Sequence, residues 1–480
     1  MREPIRPQTL PNVMSPWSTV AEEREDRQQA VEDHLAVLRT QLPALLERFG
    51  RIPDPRRVGS IRHKLIVLLV YGVLLFVFQM ASRREANREL SRPALWEALR
   101  EAFPGLDSIP HADTLARLLE RIDPGELEQA LTARIRALLR RQKLQALMVE
   151  RGYVIAFDGT QLWMRHTPFA PESLHFEHGE TMRYSAYVLK AMLVCPEGVT
   201  LPIAAEFCEN VVIPTGQEMA EDVKQDCEFK AFRRLSARLK EEFPRLRVMV
   251  VADGLYACGP VVQMCLRNGW DFMLVLKDHK LRKVWEEAQA LHELDPEGHE
   301  IHQIWRGREQ TLWWANRVEY EFKDGTRWRT ITVNVVVCEE RWEEVGTDRD
   351  GKETTTEKTA RHAWLSGRPL SAQNVHRRAN LAGRHRWDIE EAIGAEKRDE
   401  HVEHAYSLNW RAIKGFYYLM LLAELLNTLA LYSVRLWRWA TERGVRGTIR
   451  FLWESYSGAW LDLNRLRASL RHPPQLRLIV

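Results

Sequence analysis

A chain of 480 residues with 45% hydrophobic and 28% charged residues is long and apolar enough to bury sizeable cores, and its length predicts two to four domains. The net charge of +3 is too small for bulk charge to argue for a polyanionic partner, so that argument has to come from local clusters. The six cysteines, Cys195, Cys208, Cys227, Cys258, Cys265 and Cys338, form no Cys-x-x-Cys pair and follow no secretory leader, which predicts reduced thiols in a cytoplasm.

Residues 1–18 hold four prolines and read as a flexible lead. Residues 19–150 read as helical throughout, in segments Val20–Phe49, His63–Ala81, Arg84–Phe103, Ala112–Ile122 and Pro124–Met148, with breaks at Pro53, Pro55, Pro104 and Pro110. Basic residues at Arg62, His63 and Lys64, and at Arg134, Arg136, Arg140, Arg141 and Lys143, suit either duplex DNA or a helical scaffold with a charged rim. Leu65–Met80 is apolar but shorter than the ~20 residues a membrane span needs. Phe416–Val434 carries Glu424 and Asn427 in its middle, so both runs predict buried or interface helices.

At Tyr153 the periodicity changes from helix to strand. Tyr153–Asp158 is an apolar run ending in Asp158-Gly159, the pattern of a central strand that delivers a carboxylate to its edge. Strands over Tyr184–Val194 and Thr200–Phe207 and a polar helix from about Gln217 to Phe243 follow. Arg247–Ala252 then repeats the device and ends in Asp253-Gly254. A helix near Pro260–Arg267, a strand Asp271–Leu276 and a helix around Lys280–Leu291 close this part, residues 151–298. From 299 to 361 the texture is alternating and aromatic, with Asp324-Gly325 as a hairpin turn, and predicts a β-rich insertion. Asp348–Lys358 reads as a charged loop and His362–Ser366 as a strand. Residues 362–434 lead into further helices, and 435–480 form a helical tail dense in arginine.

One stretch of the 362–434 segment carries ordered charge. On a helix, Arg386, Glu390 and Lys397 fall at i, i+4 and i+11 and share one stripe beside the apolar face of Ile389, Ala392 and Ile393. A solvated stripe of ion pairs is one reading. The other joins Glu390 to Asp158 and Asp253: three hard oxygen donors suit Mg²⁺ or Mn²⁺, and two such ions serve phosphodiester chemistry. The Asp-Gly pairs are equally able to start turns and cap loops, and spacing alone leaves both readings open.

The chain resembles the DDE transposases of bacterial insertion sequences, in the branch whose third carboxylate lies in a Tyr-x2-Arg-x3-Glu-x6-Lys signature. Arg386, Glu390 and Lys397 keep that spacing, and Gly383 stands at the tyrosine position. The resemblance extends to Phe157–Thr160, Ala252–Tyr256 and His404-Ala405-Tyr406, and covers roughly residues 60 to 435. It implies an α/β fold: a ribonuclease-H-like core, a mixed five-stranded sheet with flanking helices, interrupted by the β-rich insertion and flanked by helical N- and C-terminal regions.

The resemblance also implies that Asp158, Asp253 and Glu390 hold two divalent ions, Mg²⁺ or Mn²⁺. Water activated there nicks DNA at the terminal repeats of an element, and the freed 3′-OH attacks target DNA. Arg386 and Lys397 then bind phosphates beside the scissile bond. Glu391 is the rival third ligand, about 100° round the helix from Glu390. A homodimer on DNA is the expected working form, with no membrane association and a cytoplasmic, nucleoid-associated location.

The departures carry expectations too. Gly383 removes a tyrosine contact to DNA, which keeps open a DNA-binding relative without strand transfer, beside a metal-dependent nuclease that does not join its products. His175 and His178 lack neighbouring cysteines and are expected to be surface or DNA-side groups. Trp313 and Trp314 are candidates to stack on a displaced base, although adjacent strand residues face opposite ways, so that at most one can; sheet core is the competing role. Lys277 and Lys280, just past a core strand, are candidates for backbone contact or for a solvated loop.

Overall fold

The computed structural model describes residues 16–179, 181–211, 225–347 and 353–479. The N-terminal helices are α1 (Val20–Gly50), α2 (Leu65–Val77), α3 (Arg83–Glu89), α4 (Pro93–Ala102), α5 (Ala112–Leu119) and α6 (Pro124–Arg140). Side-chain caps set several starts: Thr19 accepts from Glu22 N–H, Ser82 from Glu85 N–H and Asp123 from Gly125 N–H, ahead of Pro124 at the first helical position. The single helix expected over Arg84–Phe103 is two helices. Pro93 opens the second one, and the Trp96 indole N–H donates to the Leu90 carbonyl across the break.

The strands are β1 (Met148–Val149), β2 (Gly152–Arg165), β3 (Leu174–His178), β4 (Thr181–Val194), β5 (Thr200–Cys208), β6 (Val248–Ala252), β7 (Asp271–Val275), β8 (Glu300–Trp305), β9 (Arg308–Asp324), β10 (Arg327–Thr347) and β11 (Glu353–Ser366). Between them lie α7 (Glu228–Glu242), α8 (Gly259–Asn268) and α9 (Arg282–Leu294). After them come α10 (Val375–Asn380), α11 (Trp387–Asp399), α12 (Trp410–Leu431), α13 (Trp437–Ser457) and α14 (Leu463–Ser469). The first part of the polar helix expected from Gln217 lies outside the described residues, as do residues 348–352 of the expected charged loop; residues 353–358 of that loop belong to β11.

The strands form one mixed sheet. β5, β4 and β2 run antiparallel, and β6 and β7 continue from β2 in parallel. The β-rich insertion joins this sheet instead of standing apart, because β11 pairs antiparallel with β7 and β10, β9 and β8 follow in order. The expected five-stranded mixed sheet is thus extended by the strands of the insertion.

Side-chain alternation gives the sheet two faces. Ile155, Phe157, Val250 and Ala252 face the large core with α7 and α8. Val154, Ala156, Met249, Val251 and Met273 face a smaller core with Val375, Ala379, Ala382, Ile389 and Ile393, contributed by α10, α11 and the turn between them. The helices from the two ends of the chain pack together around α12. Gly72 of α2 permits the closest approach: a Cβ there would lie 2.6 Å from Leu419 Cδ1. Among the described residues no helix is long and apolar enough to cross a membrane.

Candidate active site

The register of β2 and β6 positions the two aspartates. Phe157 is paired with Ala252, so Asp158 and Asp253 are next to each other on parallel strands whose spacing is ~4.8 Å. Both continue the alternation of Val154/Ala156 and Met249/Val251, so both belong to the face that α11 covers. β2 does not end at Asp158, as the Asp-Gly pattern suggested; it runs on to Arg165 along β4, with a bulge between Gln161 and Trp163. Asp253 follows the last residue of β6, and its Oδ1 accepts the Leu255 N–H at 2.7 Å. The turn-forming role considered for an Asp-Gly pair is therefore present at Asp253 alongside any other.

α11 carries Glu390, whose charge is felt at Asp158. Asp158 is half-buried, and burial pushes its carboxyl up to about 6; the Gly159 N–H bond and the Arg386 guanidinium oppose the rise, and the charges of Glu390 and Glu228 add to it. Arg386 is 4% exposed, donates from Nη1 to Glu390 Oε1 at 2.5 Å and lies over the Trp387 ring, 4.2 Å from its centroid. Glu391 is exposed and does not enter this group. Lys397 lies two turns along, about 10 Å down the helix from Glu390, with its Nζ 3.2 Å from Glu403. Among the described residues no three His, Cys, Asp or Glu side chains are close enough together to hold a metal ion. The donor chemistry nevertheless fits a divalent cation: among the described residues Asp158 has no ion-pair partner and feels the charges of Glu390 and Glu228, and Asp253, the next oxygen donor on its face, has Lys277 as its ion-pair partner, with Nζ at 3.6 Å.

The other candidates fall as follows. Lys277 lies across Gly254, where a Cβ would come within 2.9 Å of its Cγ, Cδ and Cε. Lys280 is half-buried near Cys258. Trp313 and Trp314 point into opposite cores, 7% and 3% exposed, with Trp313 stacked on His292 at 4.7 Å, so neither ring is open to a base in this conformation. Trp387, beside Arg386, is 54% exposed. His175 and His178 are exposed on β3. At Gly383 the place a side chain would enter is filled by Trp364, whose Nε1 would be 2.9 Å from a Cβ.

Two groups were missed by sequence reasoning. Glu228, at the start of α7, accepts 2.5 Å hydrogen bonds from the Tyr187 and Tyr256 hydroxyls behind Gly159; only glycine fits there, since a Cβ would lie 2.3 Å from Tyr187 Oη. No local pattern marks Glu228 within a charged helix. Lys190, paired in register with Asp158, is fully buried and forms ion pairs with Glu396 of α11 and, at 3.3 Å, with Glu424 of α12. A lone lysine inside the apolar run Ala186–Val194 was the available signal.

The comparisons bear on the helical segment before this site. Residues 46–134, from the end of α1 into α6, match the family model described as DDE_Tnp_1-associated, a transposase-associated domain. Among solved structures the chain is similar to one described as "Cryo-EM structure of piggyBac transposase synaptic complex with hairpin DNA", with 11% identity over 92% of this chain and 82% of that chain and a TM-score of 0.38; a likeness of that size carries no argument. None of the curated proteins matches the chain.

Proposed function

We propose that the chain is a DDE transposase with a ribonuclease-H-like core, which cuts DNA at the ends of an insertion sequence and joins the freed ends to target DNA. The observation that carries this reading is the register of β2 and β6, which sets Asp158 beside Asp253 on the face that presents Glu390. The strand order β5-β4-β2-β6-β7, antiparallel on one side of β2 and parallel on the other, agrees with it. So does the match of residues 46–134.

Asp158, Asp253 and Glu390 would hold two ions, Mg²⁺ or Mn²⁺. Bound there, such ions lower the pKa of an attacking water or 3′-OH and stabilise the leaving oxygen. Arg386 occupies Glu390 through Nη1 in this structure; a phosphate beside the scissile bond would offer its guanidinium a bidentate partner and free the carboxylate. Lys397 supplies a second phosphate contact, and Lys277 and Lys280 contact the backbone near Asp253. Both element ends are handled together by a homodimer on DNA.

The test is Mg²⁺-dependent nicking and joining of the DNA ends that flank its gene. Wild type nicks and joins; Asp253→Ala and Glu390→Ala lower both by at least ~10³-fold, and Glu391→Ala leaves them within a few-fold. Loss of activity in Glu391→Ala with retention in Glu390→Ala would overturn the third ligand. Gly383 favours a second reading, a DNA-binding relative without strand transfer, for which wild type binds ends and leaves them uncut.

A further inference from the structure

The strand edge opposite the carboxylates, where β2, β6 and β7 begin, carries a cleft of about 510 Å³. Its lining holds five cations, Arg151, Lys240, Arg245, Arg247 and Arg368, against two carboxylates, Glu150 and Asp271. Both carboxylates are already engaged from within. The buried Arg378 donates to Glu150 at 2.9 Å and to both oxygens of Asp271 at 2.8 Å, and Arg368 stands 3.3 Å from Asp271. The nearby Glu242 is taken by Arg136 of α6. Lys240 is spent on the carbonyls of Pro244 and Asn268, which ties the rim together.

That leaves Arg151, Arg245 and Arg247, exposed and with no ion pair or side-chain hydrogen bond among the described residues. Their placement is not that of ordinary loop arginines. Arg151 sits with Glu150 in the two-residue turn joining β1 to β2, with φ of 68° and 48°, a conformation for which Asn-Gly is the favoured pair. Backbone strain of this kind persists where the surroundings enforce it. Here Arg378 anchors Glu150 and leaves Arg151 at the cleft. Arg247 is held by its own carbonyl, which accepts the Tyr153 N–H at 2.8 Å.

We propose that this cleft binds the phosphodiester backbone of a second stretch of duplex DNA, away from the one at the carboxylates. The fork-shaped donors suit phosphate oxygens, and the carboxylates that would repel them are paired with Arg378 and, at Asp271, with Arg368 as well. Val248 opens β6 and Asp253 follows its last residue, five residues on and roughly 17 Å away, so a phosphate in the cleft is not the phosphate at Asp158 and Asp253. The proposal rests on DNA being the partner and is independent of whether the chain cuts it.

The experiment measures binding of the full chain to a 40-base-pair duplex of arbitrary sequence by fluorescence anisotropy, between 50 and 200 mM salt. Each lost phosphate contact lowers the slope of log K against log salt by about 0.9, so Arg245→Glu/Arg247→Glu is expected to flatten it by about 2 and to weaken binding at least tenfold at 100 mM. Arg245→Lys/Arg247→Lys, which keeps the charge, retains most of the slope. Unchanged slope and affinity in the glutamate variant, with its thermal midpoint unaltered, would overturn the proposal. So would a wild type that does not bind the duplex. Nicking of short end oligonucleotides is read separately: its absence in a wild type whose duplex binding depends on Arg245 and Arg247 refutes the cleavage reading and leaves the cleft standing.

Discussion

Asp158 is a carboxylate with no ion-pair partner among the described residues. Burial pushes its proton affinity up, the charges of Glu390 and Glu228 add to the rise, and the Gly159 N–H and Arg386 offset only part of it. Such a group is costly unless it has a use, and a divalent ion is the partner its surroundings lack. Its position at the end of an apolar run was readable from sequence, and so was the stripe of Arg386, Glu390 and Lys397. Glu228 was not, because its closeness to Gly159 exists only once α7 is laid on the sheet. Gly383 acquires a physical reason from the same scale: the Trp364 indole takes up the volume beside it. Gly383→Ala is expected to destabilise the fold by about 1–3 kcal/mol through overpacking, read by urea unfolding, and shortening the opposing ring with Trp364→Leu is expected to recover part of that loss.

At the scale of elements, α11 is fixed to the sheet through Lys190. The lysine meets Glu396 of α11 and Glu424 of α12, and Glu400 at the end of α11 is also buried nearby. Lys190→Met leaves buried carboxylates without a cation and is expected to cost about 3–5 kcal/mol in denaturant unfolding. Glu400 supplies the pH dependence. Burial, with Glu424 adding to it, holds its carboxyl well above the ordinary carboxylate value. The folded chain therefore keeps a proton there that the unfolded chain loses, so stability declines as pH rises above about 4.5 toward the folded value. Glu400→Gln is expected to raise stability at pH 7.5 and to be near neutral at pH 4, measured as the thermal midpoint of both proteins at each pH.

The length of β11 and its pairing with β7 were not legible, since a strand pairing across nearly ninety residues leaves no local pattern. The tail reads in sequence as a basic helical region, yet much of its charge is matched internally. Arg438 and Arg443 meet Asp26, Arg435 meets Asp33, Arg465 meets Glu25 and Glu32, and Arg467 meets Glu101. Those acids lie on α1 and α4, more than three hundred residues away in the chain.

For the whole molecule, the two strand edges divide the work. The edge where β6 ends presents acids beneath α11, and the edge where β2, β6 and β7 begin presents arginines; on the two proposals above, one sheet would separate a site for chemistry from a surface that holds DNA. That division depends on Asp158, Asp253 and Glu390 converging on metal. The most direct measurement is the anomalous scattering of Mn²⁺ in crystals of the full chain with a DNA end. The account predicts two peaks among the three carboxylates, each about 2.0–2.3 Å from their oxygens, with the Arg386–Glu390 ion pair opened. Peaks absent from this group at saturating Mn²⁺, or lying elsewhere while Arg386 stays on Glu390, would contradict it.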